Sequence, residues 1–127
     1  MQEINVFVVD DHQIFLDCIV SLLEDEPFIK ITGTAHNGKQ AIEKIKNTKT
    51  DVVLMDINMP EKDGITGLKE IKQQFPHIKV LMQTVFDDTD KIFECIRNGA
   101  SGYILKKDSP QRILQAIQEV YDGGAVM

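Results

Sequence analysis

The chain reads as an α/β protein built on a doubly wound parallel sheet, and three observations predict this. Short apolar runs alternate with amphipathic stretches from end to end, the pattern of strands and helices in alternation. Two of the runs, Val6-Phe7-Val8-Val9 and Val52-Val53-Leu54-Met55, are continuously apolar, as strands buried on both faces must be. Both then end abruptly in acid, Asp10-Asp11 after the first and Asp56 after the second. In an open parallel sheet the ligand crevice lies outside the carboxyl ends of the strands, where these acids stand.

The elements follow in order. The first strand covers residues 4–9. Helical spacing of Ile14, Phe15, Cys18, Ile19, Leu22 and Leu23 predicts a helix over 13–24, stopped by Asp25-Glu26-Pro27. Residues 29–35 alternate apolar and polar, which predicts a strand with one wetter face, nearer an edge of the sheet. Gly38 opens a second helix with Ala41, Ile42 and Ile45 inward. After the third strand, Met59-Pro60-Glu61-Lys62-Asp63-Gly64 is a loop punctuated by Pro and Gly. Thr66 is expected to cap a third helix with Leu68, Ile71 and Phe75 on its buried face.

Residues 79–83 form the fourth strand and 88–97 the fourth helix, which Asn98-Gly99 ends. The fifth strand is 101–105. Ser109-Pro110 then opens the last helix as cap and first helical residue, with Ile113, Leu114, Ile117 and Val120 inward. Right-handed crossovers place helices on both faces. An outer second strand gives the flavodoxin-like (βα)5 order 2-1-3-4-5, whose crevice falls between strands one and three. Those are the strands that end in Asp10-Asp11 and Asp56.

Composition excludes several functions. A single domain fits 127 residues. No stretch approaches the roughly 20 apolar residues of a membrane span, and Met1-Gln2-Glu3-Ile4-Asn5 has no basic opening of a signal peptide, so a cytoplasmic location is expected. A net charge of −6, with lysines interleaved among acids, argues against nucleic-acid binding by this chain alone. Cys18 and Cys95 each sit in an apolar helical pattern and are expected as reduced core or interface residues. His12, His36 and His77 match no metal-ligand spacing.

The strand ends carry the chemistry. Asp10, Asp11 and Asp56 are joined by Thr84 after the fourth strand and Lys106 after the fifth. Like charges about 4 Å apart repel by about 4 kcal/mol at an effective dielectric of 20, a penalty that a divalent cation removes. Mg²⁺ suits carboxylates, waters and phosphate oxygens. A carboxylate there can also be a nucleophile toward phosphorus, with an ammonium and a hydroxyl to receive the developing charge. Taken singly, Asp11 could as well cap the first helix and Asp56 stabilise a turn, although Pro60 and Gly64 place a long loop, not a helix start, after Asp56.

Val8-Val9-Asp10-Asp11-His12, Met55-Asp56-Ile57-Asn58-Met59-Pro60, Thr84 and Gly102-Tyr103-Ile104-Leu105-Lys106 resemble a bacterial two-component response-regulator receiver domain. Gly99-Ala100-Ser101-Gly102-Tyr103 through Lys106, with Asp108-Ser109-Pro110, is similar to the NarL/LuxR-type subfamily. The resemblance spans essentially the whole chain, 1–127. It implies that Asp56 accepts a phosphoryl group from a sensor histidine kinase, with Lys106 and Thr84 assisting. It further implies that Asp11, Asp56 and the backbone carbonyl of Asn58 hold Mg²⁺, with Asp10 acting through a water. Thr84 and Tyr103 match the family's switch pair. A regulator of this kind is no enzyme beyond catalysing its own phosphorylation and dephosphorylation.

Two positions depart from the family as a whole. Val85 stands where a smaller residue is common and narrows access. Phe86 replaces polar groups and predicts slow self-hydrolysis. In NarL/LuxR-type regulators a linker to a helix-turn-helix DNA-binding domain follows where Gly123-Gly124-Ala125-Val126-Met127 ends this chain. DNA is therefore expected as a partner only through a C-terminal domain missing here. Homodimerisation is compatible with the first and fifth helices or with the face carrying Tyr103.

Competing readings are a stand-alone or degenerate receiver acting as an interaction module and, more remotely, an aspartyl-phosphate hydrolase. The hydrolase would need an acid two residues beyond Asp56, where Asn58 stands. Gly33-Thr34-Ala35-His36-Asn37-Gly38-Lys39-Gln40 approaches the phosphate-binding GxxxxGK[ST] loop but ends in Gln40, which lacks the hydroxyl for Mg²⁺.

Overall fold

The computed structural model describes residues 3–57, 59, 64–85 and 89–124. Its elements are β1 (Ile4–Val9), α1 (Gln13–Glu24), β2 (Ile29–Ala35), α2 (Gly38–Ile45), β3 (Val52–Asp56), α3 (Gly64–Gln74), β4 (Lys79–Thr84), α4 (Thr89–Arg97), β5 (Gly102–Leu105) and α5 (Pro110–Tyr121). The strands form one parallel sheet in the order β2-β1-β3-β4-β5. The predicted fold and the outer position of β2 are both borne out.

Two apolar layers hold the sheet. On one face Val6, Val8, Leu54, Leu81 and Ile104 pack under α1 and α5, through Leu16, Ile19, Leu23, Ile113 and Ile117. On the other, Val9, Val53, Met55, Val80 and Met82 pack under α2, α3 and α4, through Ala41, Ile45, Leu68, Ile71 and Cys95. Each fully buried aliphatic side chain contributes about 1.5–3 kcal/mol, and β1 and β3 are buried along their whole length. The register of the central strands is pinned at the opposite end by Asp51. Its Oδ2 accepts from the Asn5 backbone N–H at 2.9 Å and the Asn5 side chain at 3.0 Å.

Turn chemistry accounts for most helix ends. Asn37 accepts from Gln40 N–H at 2.9 Å to cap α2, and Ser109 from Arg112 N–H at 3.2 Å to cap α5, with Pro110 in the first turn. Gly99 follows α4 at φ +99°, the left-handed conformation that favours glycine. Gly33 lies inside β2 beside the Phe7 ring, where an added Cβ would come within 2.7 Å of Cε2. That glycine serves packing and is no part of a phosphate loop.

Three expectations need correction. Cys95 is buried in the core, but Cys18 is exposed and is therefore no core residue. The buried stripe of α1 is Leu16, Ile19 and Leu23, leaving Ile14 82% exposed. Apolar residues occupy most of the circumference of this helix, so spacing alone did not select the face. Thr66 does not cap α3, which begins at Gly64. The Gly64 N–H donates to the Ile57 carbonyl at 2.9 Å, fastening the helix start to the end of β3. Asn58 and Phe86, with the roles expected of them, lie outside the described residues.

Candidate functional site

Period-two alternation sorts the strand-end residues onto the two faces. Asp10, Asp56 and Lys106 continue the parity of Val8, Leu54 and Ile104, the face under α1 and α5. Thr84 continues that of Met82, which is paired with Tyr103. Met82, Cys95 of α4 and the partly buried Tyr103 ring belong to the same cluster. The predicted residues thus divide into a charged group on one side and the Thr84–Tyr103 pair on the other.

The charged group is tightly knit. Asp10 and Asp56 are buried, at 0% and 1% exposure. Lys106 extends between them, with Nζ 2.8 Å from Asp10 Oδ2 and 3.2 Å from Asp56 Oδ2. Burial alone would lower the Lys106 pKa, but hydrogen bonds and charge from Asp10 and Asp56 outweigh it and raise the value above the ordinary one. The ammonium also stands 4.6 Å from the centre of the Phe15 ring.

The backbone sets this reach. Lys106 N–H donates to the Thr84 carbonyl at 2.9 Å, and Asp108 Oδ2 accepts from Leu105 N–H at 2.9 Å. Asp10 is held from both sides. Its N–H donates to the Ala35 carbonyl at 3.0 Å, and its Oδ1 accepts from the His12 N–H at 2.8 Å.

Asp11 does not cap α1, since His12 is the N-cap and makes no side-chain capping bond. The imidazole turns instead to the acids, Nδ1 lying 3.2 Å from Asp10 Oδ1 and 3.1 Å from Asp11 Oδ1. Asp10, Asp11, His12 and Asp56 each offer one donor atom within 4.8 Å of the others. Asp11 Oδ1 is shielded from solvent, and its 3.1 Å contact with His12 Nδ1 is an ion-pair contact without hydrogen-bond geometry among the described residues. A solvent-shielded carboxylate oxygen so weakly satisfied, beside two buried acids, fits a hard divalent cation.

Comparison with known proteins decides the family. Residues 6–118 match the response regulator receiver domain. The chain belongs to that family. Over 124 residues this receiver is 41% identical to the transcriptional regulatory protein LnrK of Bacillus subtilis, covering 98% of this chain and 56% of LnrK. The receiver spans about half the length of the curated relatives it matches. Among solved structures it is similar to a LuxR-family response regulator from Aurantimonas, with a TM-score of 0.94 and 27% identity over 99% of this chain and 90% of that one. It is also similar to the receiver domain of NarL from Mycobacterium tuberculosis, with a TM-score of 0.89 and 27% identity over 97% and 99%. No helix among the described residues is long and apolar enough to cross a membrane.

Four neighbours of the site escaped the sequence reading. Phe15 appeared only as part of an apolar stripe, and His12 as the last residue of the Val8–His12 motif with no role of its own. Gly64 appeared as loop punctuation, yet an added Cβ would fall 2.2 Å from the Asp56 carbonyl oxygen. Gln83 sits in register with Asp56, fully buried, with neither side-chain amide atom hydrogen-bonded among the described residues. A polar residue at the end of an apolar strand was the available signal for it.

Proposed function

We propose that this receiver is the phosphorylation-dependent switch of a two-component system. Asp56 takes a phosphoryl group from the phosphohistidine of a sensor kinase, with Mg²⁺ held by Asp10, Asp11 and Asp56. The observation that carries the reading is the Lys106 ammonium placed at 2.8 and 3.2 Å from two buried carboxylates beside a third. A carboxylate oxygen of Asp56 attacks phosphorus while the P–N bond breaks, and the imidazole leaves with the bonding pair. Mg²⁺, when bound, neutralises charge on the transferring phosphoryl oxygens. Lys106, already within reach of Asp56, donates to one of those oxygens, and Thr84 to another.

The acyl phosphate adds about −1.5 to −2 charges. Drawing the Thr84 hydroxyl toward it vacates space into which the Tyr103 ring turns, and this alters the surface made by α4, β5 and α5. The receiver catalyses only its own phosphorylation and dephosphorylation. The output we propose is transcriptional and cytoplasmic, exerted through a DNA-binding segment outside this chain; the relative LnrK is named a transcriptional regulatory protein.

The test is intact-mass analysis after incubation with acetyl phosphate, with and without Mg²⁺, beside Asp56→Asn. The expected result is a Mg²⁺-dependent gain of one phosphoryl group that the variant lacks. No gain under either condition would overturn the reading in favour of a module that signals by binding alone.

A further inference from the structure

Among the described residues, the buried side chains of Asn5 and Thr50 are hydrogen-bonded, to Asp51 and to Thr32 and Thr48. Gln83 is not. It is fully buried, with neither Nε2 nor Oε1 bonded. We propose that Gln83 is a positioning residue for the phosphorylated state, in which its Nε2 donates to the acyl oxygen of Asp56 once Lys106 has moved to the phosphoryl group. On the reading of Asp56 as phosphoacceptor, the buried amide is then a bias built into the switch. It is unfavourable in the resting fold and relieved by phosphorylation.

The sheet places the amide for this role. Gln83 is the register partner of Asp56 across β3 and β4 and of Ile104 across β4 and β5. Register partners project to the same face of a sheet, so Gln83 lies on the Asp56 side. Lys106, two residues beyond Ile104, continues that face, and its N–H bond to the Thr84 carbonyl keeps it alongside β4. The Gln83 carbonyl accepts from Ile57 N–H at 2.9 Å, which fastens the two strand ends together. Adjacent strands stand about 4.8 Å apart, a gap that an amide on two methylenes crosses by rotation of its side-chain torsions. Asp56 is as deeply buried as Gln83, so bulk water serves neither.

The movement of charge supplies the partner. In the resting fold Asp56 Oδ2 accepts from Lys106 Nζ at 3.2 Å. Formation of the P–O bond converts the carboxylate into an acyl phosphate and carries the negative charge outward to the phosphoryl oxygens. Lys106 follows that charge. The acyl oxygen it leaves is a buried acceptor without a donor, beside a buried donor without an acceptor, and one hydrogen bond relieves both. Gln83 makes and breaks no covalent bond. An apolar side chain of the same length would fill the space in both states and favour neither.

The experiment uses the full chain, with beryllium trifluoride and Mg²⁺ as a stable stand-in for the phosphoryl group. Thermal melts of wild type and Gln83→Met are compared with and without it, and Gln83→Leu repeats the cycle with a second apolar replacement. Side-chain amide ¹H–¹⁵N spectra of wild type are recorded in both states, the Gln83 pair being the one that the variants lack. The expected result is a rise in Tm of several degrees for the variants in the resting state that shrinks to less than about 1 °C with beryllium trifluoride. A Gln83 amide proton should shift downfield in the loaded wild type. An equal rise in both states, with the amide signals unmoved, makes Gln83 a fixed packing flaw and overturns the proposal while the phosphoacceptor reading stands. A wild type that ignores beryllium trifluoride in melts and spectra, and gains no phosphoryl group from acetyl phosphate, overturns that reading and the role of Gln83 with it.

Discussion

The Lys106 ammonium lies 2.8 Å from the Asp10 carboxylate, spanning the carboxyl edge of the sheet from β5 to β1 across β4 and β3. Its side chain is only 11% exposed, so the pair works in a medium where charge is expensive. Removing one partner strands the others, and Lys106→Met should destabilise the fold by about 3 kcal/mol at neutral pH. The Lys106 pKa is raised in the folded state. Its contribution is therefore complete below the unfolded-state value and is lost as pH rises through the folded one. The stability gap between wild type and Lys106→Met should stay flat through neutrality and close above pH of about 10.4. Urea unfolding of both proteins at several pH values measures it, and a gap unchanged at high pH would assign the loss to packing against Phe15.

Gly64 is a steric requirement of the phosphoacceptor strand. A Cβ there would meet the Asp56 carbonyl oxygen at 2.2 Å and the Ile57 Cα at 2.8 Å, both backbone atoms that cannot step aside. Gly64→Ala should cost about 3 kcal/mol, through displacement of α3 from the end of β3, and should depress phosphorylation. Gly67, one turn on, is the control. Its added Cβ would meet the Met55 Sδ at 3.2 Å, the end of a flexible side chain. Gly67→Ala should change stability by less than about 1 kcal/mol, helped by helix propensity. Equal losses in thermal melts of the two variants would refute the distinction.

These two glycines mark where sequence reading succeeds and where it stops. The strands were legible because β1 and β3 are buried throughout and carry continuous apolar runs, while β2, whose sequence alternates apolar and polar residues, is only partly buried along its middle. Asp10, Asp11, Asp56 and Lys106 were legible as a site because strand ends of a parallel sheet converge by topology. The face of α1 was not, because Ile14 and Cys18 are as apolar as Leu16 and Ile19. The crowding at Gly64 and the approach of Phe15 to Lys106 depend on contacts across 8 and 91 positions of the chain, which no local pattern records.

Thr84 and Tyr103 share the face covered by α4, whereas Asp56 and Lys106 belong to the opposite one. The hydroxyl of Thr84 is thus the proposed link between the acyl phosphate and the aromatic ring. Thr84→Ala should leave phosphorylation of Asp56 within about tenfold of wild type while removing its effect on Tyr103. The chain has two tyrosines, so 3-fluorotyrosine labelling yields two ¹⁹F resonances, with Tyr121 on α5 as reference. Phosphorylation should shift the Tyr103 signal in wild type and leave it nearly still in Thr84→Ala. A shift of equal size in both would remove Thr84 from the coupling.

Gln83 carries a cost that an apolar residue would not. It is fully buried, in register with Asp56 on β3 and Ile104 on β5, and neither Nε2 nor Oε1 has a hydrogen-bond partner among the described residues. Orphaned buried polar atoms cost about 1–3 kcal/mol each. Gln83→Met preserves length and lack of branching while removing both atoms, and should stabilise the fold by about 1–2 kcal/mol, a rise in Tm of several degrees. The register pairing with Asp56 makes a second measurement informative. If Gln83→Met is more stable but accepts phosphate from acetyl phosphate more slowly, the amide is kept for the site, and the resting fold bears its cost. If stability rises and the rate holds, Gln83 is a replaceable flaw in the core. A variant that melts lower than wild type would mean that the amide is hydrogen-bonded in solution and that no such cost exists.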